Sequence, residues 1–226
     1  MKKLATITAI IGCFLISWIV YSQVFSQKKG PKATDSEETN EIFSKQRFQS
    51  GDMIFQSSVS AQCKAIQLAT HSPYSHCGLI FTEGEKSYVL EAVQPVTITA
   101  LQDWIERGKD KHFVVKRLKN ADKVLTTATV SKMKKIGKEF LGKNYDATFE
   151  WSDDRIYCSE LIWKIYQRAT GLSIGKLEKL GDFDLSSSEV KAKLKERYGD
   201  KIPLEEIVIS PVSIFKSDLL VTVEEH

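Results

Sequence analysis

The chain beyond residue 46 predicts an α+β fold built on a small antiparallel sheet. Short apolar runs bounded by turn residues recur along it, and two later stretches carry apolar side chains at helical spacing. These short strands do not alternate regularly with helices, so a doubly wound parallel sheet does not fit. Composition agrees: 42% hydrophobic and 27% charged residues exclude wholesale disorder.

The elements follow in order. Asp52 to Gln56 reads as a short strand entered from Gly51, and Ser60 to Thr70 as a helix with Ala61, Ala65, Ile66 and Ala69 on one side. Ser72-Pro73 breaks it. Cys77 to Phe81 and Tyr88 to Val93 read as a hairpin around Thr82-Glu83-Gly84-Glu85. A strand over Thr97 to Thr99, a short helix from Leu101 to Arg107 and a strand from Phe113 to Leu118 come next. Val130, Met133, Ile136 and Phe140 mark an amphipathic helix ending near Gly142. Cys158 to Thr170 is the clearest helix, with Leu161, Ile162, Ile165, Tyr166 and Ala169 as its stripe and Gly171 as its cap. Gly171 to Ser188 reads as a long surface excursion. Ile207 to Ile209 and Leu219 to Val223 are late strands.

Ahead of residue 47 stand two segments. Lys2-Lys3 precedes an uncharged run from Leu4 to Gln27, read over residues 1–26 as a signal peptide or an N-terminal membrane anchor. Ile10-Ile11-Gly12-Cys13 also resembles a lipoprotein cleavage box, although the apolar run continues past Cys13. Residues 27–46 are polar and read as a tether, which leaves 47–226 as the folded domain. With Lys2 and Lys3 inside, the domain is expected in the cell envelope, outside the cytoplasm. The net charge is +3, of which those two lysines supply two, so the remainder carries +1. That balance excludes a basic sheath for nucleic acid.

Three residues carry the chemistry expected here: Cys158, His76 and Glu91. Cys158 opens the strongest helix, where the dipole and free backbone N–H groups favour a thiolate and can stabilise an oxyanion. The other reading is a small buried hydrophobe. A thiolate nucleophile needs a base, and His76 begins the apolar strand His76-Cys77-Gly78-Leu79-Ile80-Phe81. Residues facing each other across a hairpin share an index sum. His76 and Glu91 place the midpoint between Glu83 and Gly84, inside the turn signal. The pair is therefore expected directly opposite, with Cβ atoms about 5 Å apart. A carboxylate there fixes the imidazole tautomer and stabilises the imidazolium. Glu160 and Asp146 are the alternatives to Glu91. Cys77 alternates to the other face and reads as core, and Cys63 as packing. A Cys63–Cys77 disulfide is one alternative for these thiols. A zinc site from Cys63, His71, His76 and Cys158 is another, although its spacing matches no standard pattern.

These segments resemble the circularly permuted papain-fold family of YiiX type, related to NlpC-like cell-wall peptidases and to lecithin–retinol acyltransferases. The resemblance rests on SGDMIFQ (50–56), AIQLATHSPYSHCGLIF (65–81), YVLEAV (88–93), YDATFEWSDDRIYCSELIWKIY (145–166) and SPVSIFKSDLL (210–220). His76 and Glu91 precede Cys158, the permuted order. The resemblance implies a small antiparallel sheet or half-barrel packed on the Cys-bearing helix. It implies Cys158 as nucleophile, His76 as general base and then acid, and Glu91 as the orienting residue. Papain has a Gln six residues before its Cys. Ser152 stands there in this chain, so Tyr157 and Tyr145 are the candidate replacement donors to an oxyanion or substrate. The stretch from Gly171 to Asp200 reads as a solvated excursion rather than a cover for the site.

The function implied is a thiol hydrolase acting on amide bonds of small peptides or peptidoglycan stems through a thioester, with neither metal nor organic cofactor. The expected partners are such a peptide or acyl substrate and the membrane. The alternatives are a lipid acyl hydrolase or acyltransferase, and an inactive envelope-binding module.

Overall fold

The computed structural model describes residues 47–226. The leader or anchor read over 1–26, the cleavage box at Cys13 and the tether read over 27–46 lie outside the described residues. In chain order the elements are β1 (Met53–Gln56), α1 (Ala61–Thr70), β2 (His76–Glu83), β3 (Lys86–Glu91), β4 (Thr97–Ala100) and α2 (Leu101–Glu106). Then follow β5 (Phe113–Leu118), α3 (Ala121–Val124), α4 (Thr127–Phe140) and α5 (Cys158–Thr170). The last are β6 (Glu178–Lys179), α6 (Ser188–Tyr198), β7 (Ile207–Val208), α7 (Pro211–Phe215) and β8 (Leu220–Glu225). Six strands form one antiparallel sheet in the order β4-β3-β2-β1-β5-β8, and β6 pairs with β7 apart from it.

Strand alternation sorts the sheet into two faces. Met53, Phe55, Cys77, Leu79 and Leu90 share one face and join a core with the stripes of α4 and α5. On those helices Met133, Ile136, Phe140, Leu161, Ile162 and Ile165 supply the apolar side. Gly137 lets α4 lie close to β3, since a Cβ there would sit 2.6 Å from Leu90 Cδ2. On the opposite face Ile54, Ile80, Val89 and Val115 are fully buried too. α2 packs there against β3 and β4. Gly171 ends α5 with φ 78°, the left-handed cap that glycine adopts without strain.

Two sequence expectations need correction here. The β2–β3 pairs run from Leu79 with Leu90 to Glu83 with Lys86. Gly84 takes φ +60°, so the chain reverses over Gly84-Glu85, one residue later than expected. Glu91 therefore lies across from Gly78, and His76 is its diagonal neighbour. The shift of two in index sum preserves the face, so both side chains still share one side of the sheet. The second correction concerns 171–200. This segment holds β6 and α6, and Ile174, Leu180, Val190 and Leu194 are buried. α6 packs on α1, where Ala65 meets Leu180, Val190 and Leu194. Apolar residues spaced by four among lysines and glutamates hid this helix.

Candidate active site

Cys158 is the first residue of α5, with Tyr157 in extended backbone ahead of it. A parallel bridge between Tyr145 and Ile156 steadies the entry loop. The thiol is only 3% exposed, yet it stands well below the ordinary thiol range. A hydrogen bond from Cys77 is the largest cause, burial opposes it, and the hydrogen bond and charge of His76 add to the lowering. The positive end of α5 acts in the same direction.

His76 opens β2, paired with Gln56 of β1. Its Nε2 lies 2.7 Å from Glu91 Oε2, which leaves Nδ1 for Cys158. The ring stacks on Trp104, with centroids 5.8 Å apart. Burial disfavours the charged imidazole, but hydrogen bonds to Cys158 and Glu91 overcome this and push its pKa up to about 10. Both shifts favour a thiolate–imidazolium pair.

Glu91 is fully buried and surrounded by donors. Thr99 Oγ1 lies 2.5 Å from Oε1 and Trp104 Nε1 3.0 Å from Oε2, and Arg107 pairs with Oε1. Burial alone would raise this carboxyl. The His76 hydrogen bond and charge, then Thr99 and Arg107, hold it below the ordinary carboxylate range. Glu160 and Asp146 do not reach His76 in this way. Glu160 Oε1 lies 2.7 Å from Lys164 Nζ, and Asp146 accepts from Thr148.

The two tyrosines divide. The Tyr145 hydroxyl accepts from Gln62 Nε2 at 2.8 Å and borders the same cavity as Cys158. The Tyr157 hydroxyl accepts from the Ile209 backbone N–H at 3.1 Å, bracing the chain after β7. The Ser152 Oγ accepts from the Asp154 backbone N–H at 3.4 Å, and the Ser152 carbonyl accepts from Lys164 Nζ at 2.5 Å.

Sequence reasoning missed Thr99, Trp104, Arg107 and Gln62, which belong to no recognisable spacing. Cys77 is core as expected: it faces away from His76 and joins the buried cluster that also holds Cys158. Cys63, Cys77 and Cys158 are all free thiols. The candidate zinc set is not assembled, since His71 pairs with Asp184 on the surface.

A cavity of about 100 Å³ opens beside Cys158 between α1, α6 and the segment around β7. Ile66, Leu180, Phe183, Val190, Leu194 and Val208 give it an apolar lining, and Lys193 and Arg197 are its cations. The Arg197 guanidinium lies 4.9 Å over the Phe149 ring. The segment 171–200, expected to be a solvated excursion, forms one wall.

An antiparallel sheet bearing a His–Glu pair, packed on a helix that begins with a cysteine and follows them in the chain, is the architecture of a circularly permuted papain-like thiol hydrolase. Residues 47–224 match the model of the permuted papain-like amidase enzymes, YaeF/YiiX, C92 family, and the chain belongs to that family. It is 51% identical over 178 residues to the protein YiiX of Escherichia coli (strain K12), covering 79% of this chain and 87% of that protein. A crystal structure titled as the metalloprotein yiiX from Escherichia coli O157:H7 superposes with a TM-score of 0.76 at 50% identity. The match covers 80% of this chain and 98% of that one. Among the described residues of this chain, no three His, Cys, Asp or Glu side chains group as metal ligands. The donor set here therefore does not fit such a metal.

Proposed function

We propose that the chain hydrolyses amides whose acyl part is apolar, through a thioester on Cys158. The observation that carries the reading is His76, held at Nε2 by Glu91 and free at Nδ1 toward the sulfur. The Cys158 thiolate attacks the carbonyl carbon, and the C=O electron pair moves to oxygen. The Cys158 backbone N–H and the Tyr145 hydroxyl, held by Gln62, receive that oxyanion. Tyr157 braces the wall rather than donating. His76 imidazolium gives its proton to the leaving nitrogen, the C–N bond breaks and an amine departs. Water then attacks the thioester with neutral His76 as base, releasing the acid and restoring the thiolate.

The apolar lining supports the acyl part of this reading. Small peptides or cell-wall stems, expected from the sequence, are the second reading. Lys193 and Arg197 favour it, as cations able to meet a stem carboxylate. Placement in the cell envelope belongs to the proposal through the apolar run of the first 26 residues. Among the described residues no helix is long and apolar enough to cross a membrane.

Full-length protein is to be incubated with lauroyl p-nitroanilide and with purified muropeptides, and Cys158 analysed by mass spectrometry. A lauroyl adduct on Cys158 with p-nitroaniline release, both lost in Cys158→Ala, is expected. New amino groups from muropeptides alone transfer the assignment to the second reading, and neither product overturns both. Protease accessibility of the domain in intact cells tests its location.

A further inference from the structure

The chain has six arginines, all beyond residue 46. Five of them pair with a carboxylate, as Arg107 does with Glu91 and Arg168 with Asp153. Among the described residues Arg197 alone meets none, and it borders the cavity of Cys158. Lys193, the other cation there, is taken by Glu196 at 2.6 Å. One positive charge is thus left over at the cavity. Its seat is held in place. Phe149 takes a left-handed backbone, φ 52°, which a bulky residue adopts only where its surroundings impose it. Tyr198, the neighbour of Arg197 on α6, donates its hydroxyl to the Thr148 carbonyl, and the Phe149 ring stands edge-on to Tyr157 at 5.1 Å. The Arg197 guanidinium lies 4.9 Å over that ring. Cation–π attraction holds the group without using up its planar fork of donors.

We infer that Arg197 determines specificity by pairing with a carboxylate on the amide substrate. The inference rests on the reading of the chain as an amide hydrolase and narrows its substrate class to amides with an apolar acyl part and one carboxylate. A single guanidinium that nothing else offsets matches a monoanion, and its fork matches the two oxygens of a carboxylate. Beside an apolar lining such a pair is screened less than on open surface, so it adds to binding. The charge is also felt next to the nucleophile. Burial and Cys158 raise the Tyr145 hydroxyl, and Arg197 pulls against them. The carboxylate stands either on the acyl end or on the leaving amine. Both present the same chemistry to Arg197, and the test separates them.

The test uses full-length wild type, Arg197→Gln and Arg197→Lys with two matched pairs of amides. Lauroyl p-aminobenzoate against lauroyl p-aminobenzamide puts the carboxylate on the amine. Sebacoyl mono-p-nitroanilide against its methyl ester puts it on the acyl end. Wild-type kcat/KM is expected to favour the carboxylate of a pair by roughly ten- to a hundredfold. Arg197→Gln is expected to lose that preference and Arg197→Lys to keep part of it. Whichever pair shows it identifies the source. A preference is a ratio within one sample, so partial unfolding of a variant lowers both members and leaves the ratio unmoved. Turnover without preference in either pair, or a preference that survives Arg197→Gln, overturns the inference and leaves the proposed function standing. Calorimetric titration of the same amides into Cys158→Ala, with and without Arg197→Gln, reads binding alone. A carboxylate preference there that needs Arg197, with no turnover by wild type, upholds the carboxylate site and overturns hydrolysis. Equal binding within each pair and no turnover overturns both.

Discussion

Glu91 shows how much of the candidate site rests on a fully buried residue. Its carboxylate is fully buried and is tolerated there because His76, Thr99, Trp104 and Arg107 all approach it. Trp104 acts twice, donating to Glu91 and stacking on His76, so one indole fixes both the carboxylate and the ring plane. Glu91→Gln keeps the shape but removes the charge opposite the imidazolium. It is expected to lower kcat by roughly 10²- to 10⁴-fold with a much smaller change in KM, read on lauroyl p-nitroanilide. An unchanged kcat would sink the orienting role. Glu91 was legible because a carboxylate in the apolar run Tyr88-Val89-Leu90 is out of place unless partnered. Its partners were not legible, since Thr99, Trp104 and Arg107 meet it only through the β4–α2 corner.

At the scale of elements, the β2–β3 hairpin and the start of α5 set the geometry. Gly78 lies across from Glu91, and a Cβ there would meet Val89 Cγ1 at 2.2 Å and Glu91 Cβ at 3.6 Å. Gly78→Ala is expected to cost about 1–3 kcal/mol by overpacking and to lower activity more than that loss of stability explains. Urea unfolding alongside kcat checks it, and wild-type values in both would refute it. Glu160, in the first turn of α5, is raised to about 8, chiefly by burial, against the pull of Lys164. The folded form thus binds this proton more tightly than the unfolded chain does. The associated stability is complete below about 4.5 and is lost as pH rises through 8, at up to about 1.4 kcal/mol per pH unit. Glu160→Gln is expected to flatten that slope in urea midpoints taken at pH 5, 6, 7 and 8. The strands of the main sheet and the helices α1, α2, α4 and α5 were legible from period and punctuation. The hairpin register was not, because Gly84 permits a tighter turn than Thr82 to Glu85 suggested. Its error was an even shift, which left the face assignment intact.

Over the whole described domain, the sheet positions the base and its carboxylate while the helices supply the thiol and the cavity. Val190 and Leu194 of α6 line the cavity, so on the proposed function this helix selects what enters. Leu194→Glu is expected to reduce kcat/KM for lauroyl p-nitroanilide by at least tenfold while leaving acetyl p-nitroanilide nearly unaffected; equal losses would detach α6 from selectivity. The sequence reading passed over this helix because a surface rich in Lys and Glu looks the same whether or not its inner side walls a cavity. The permuted order, by contrast, was visible directly, since His76 and Glu91 simply precede Cys158. The order has an electrostatic consequence. Arg107, Glu91, His76 and Cys158 form a row of alternating sign whose charges cancel. To an approaching molecule the row has almost no net field, and the cations lining the cavity are Lys193 and Arg197. A neutral anilide is therefore expected to show a kcat/KM indifferent to ionic strength, whereas one that falls as salt is added identifies an anionic substrate.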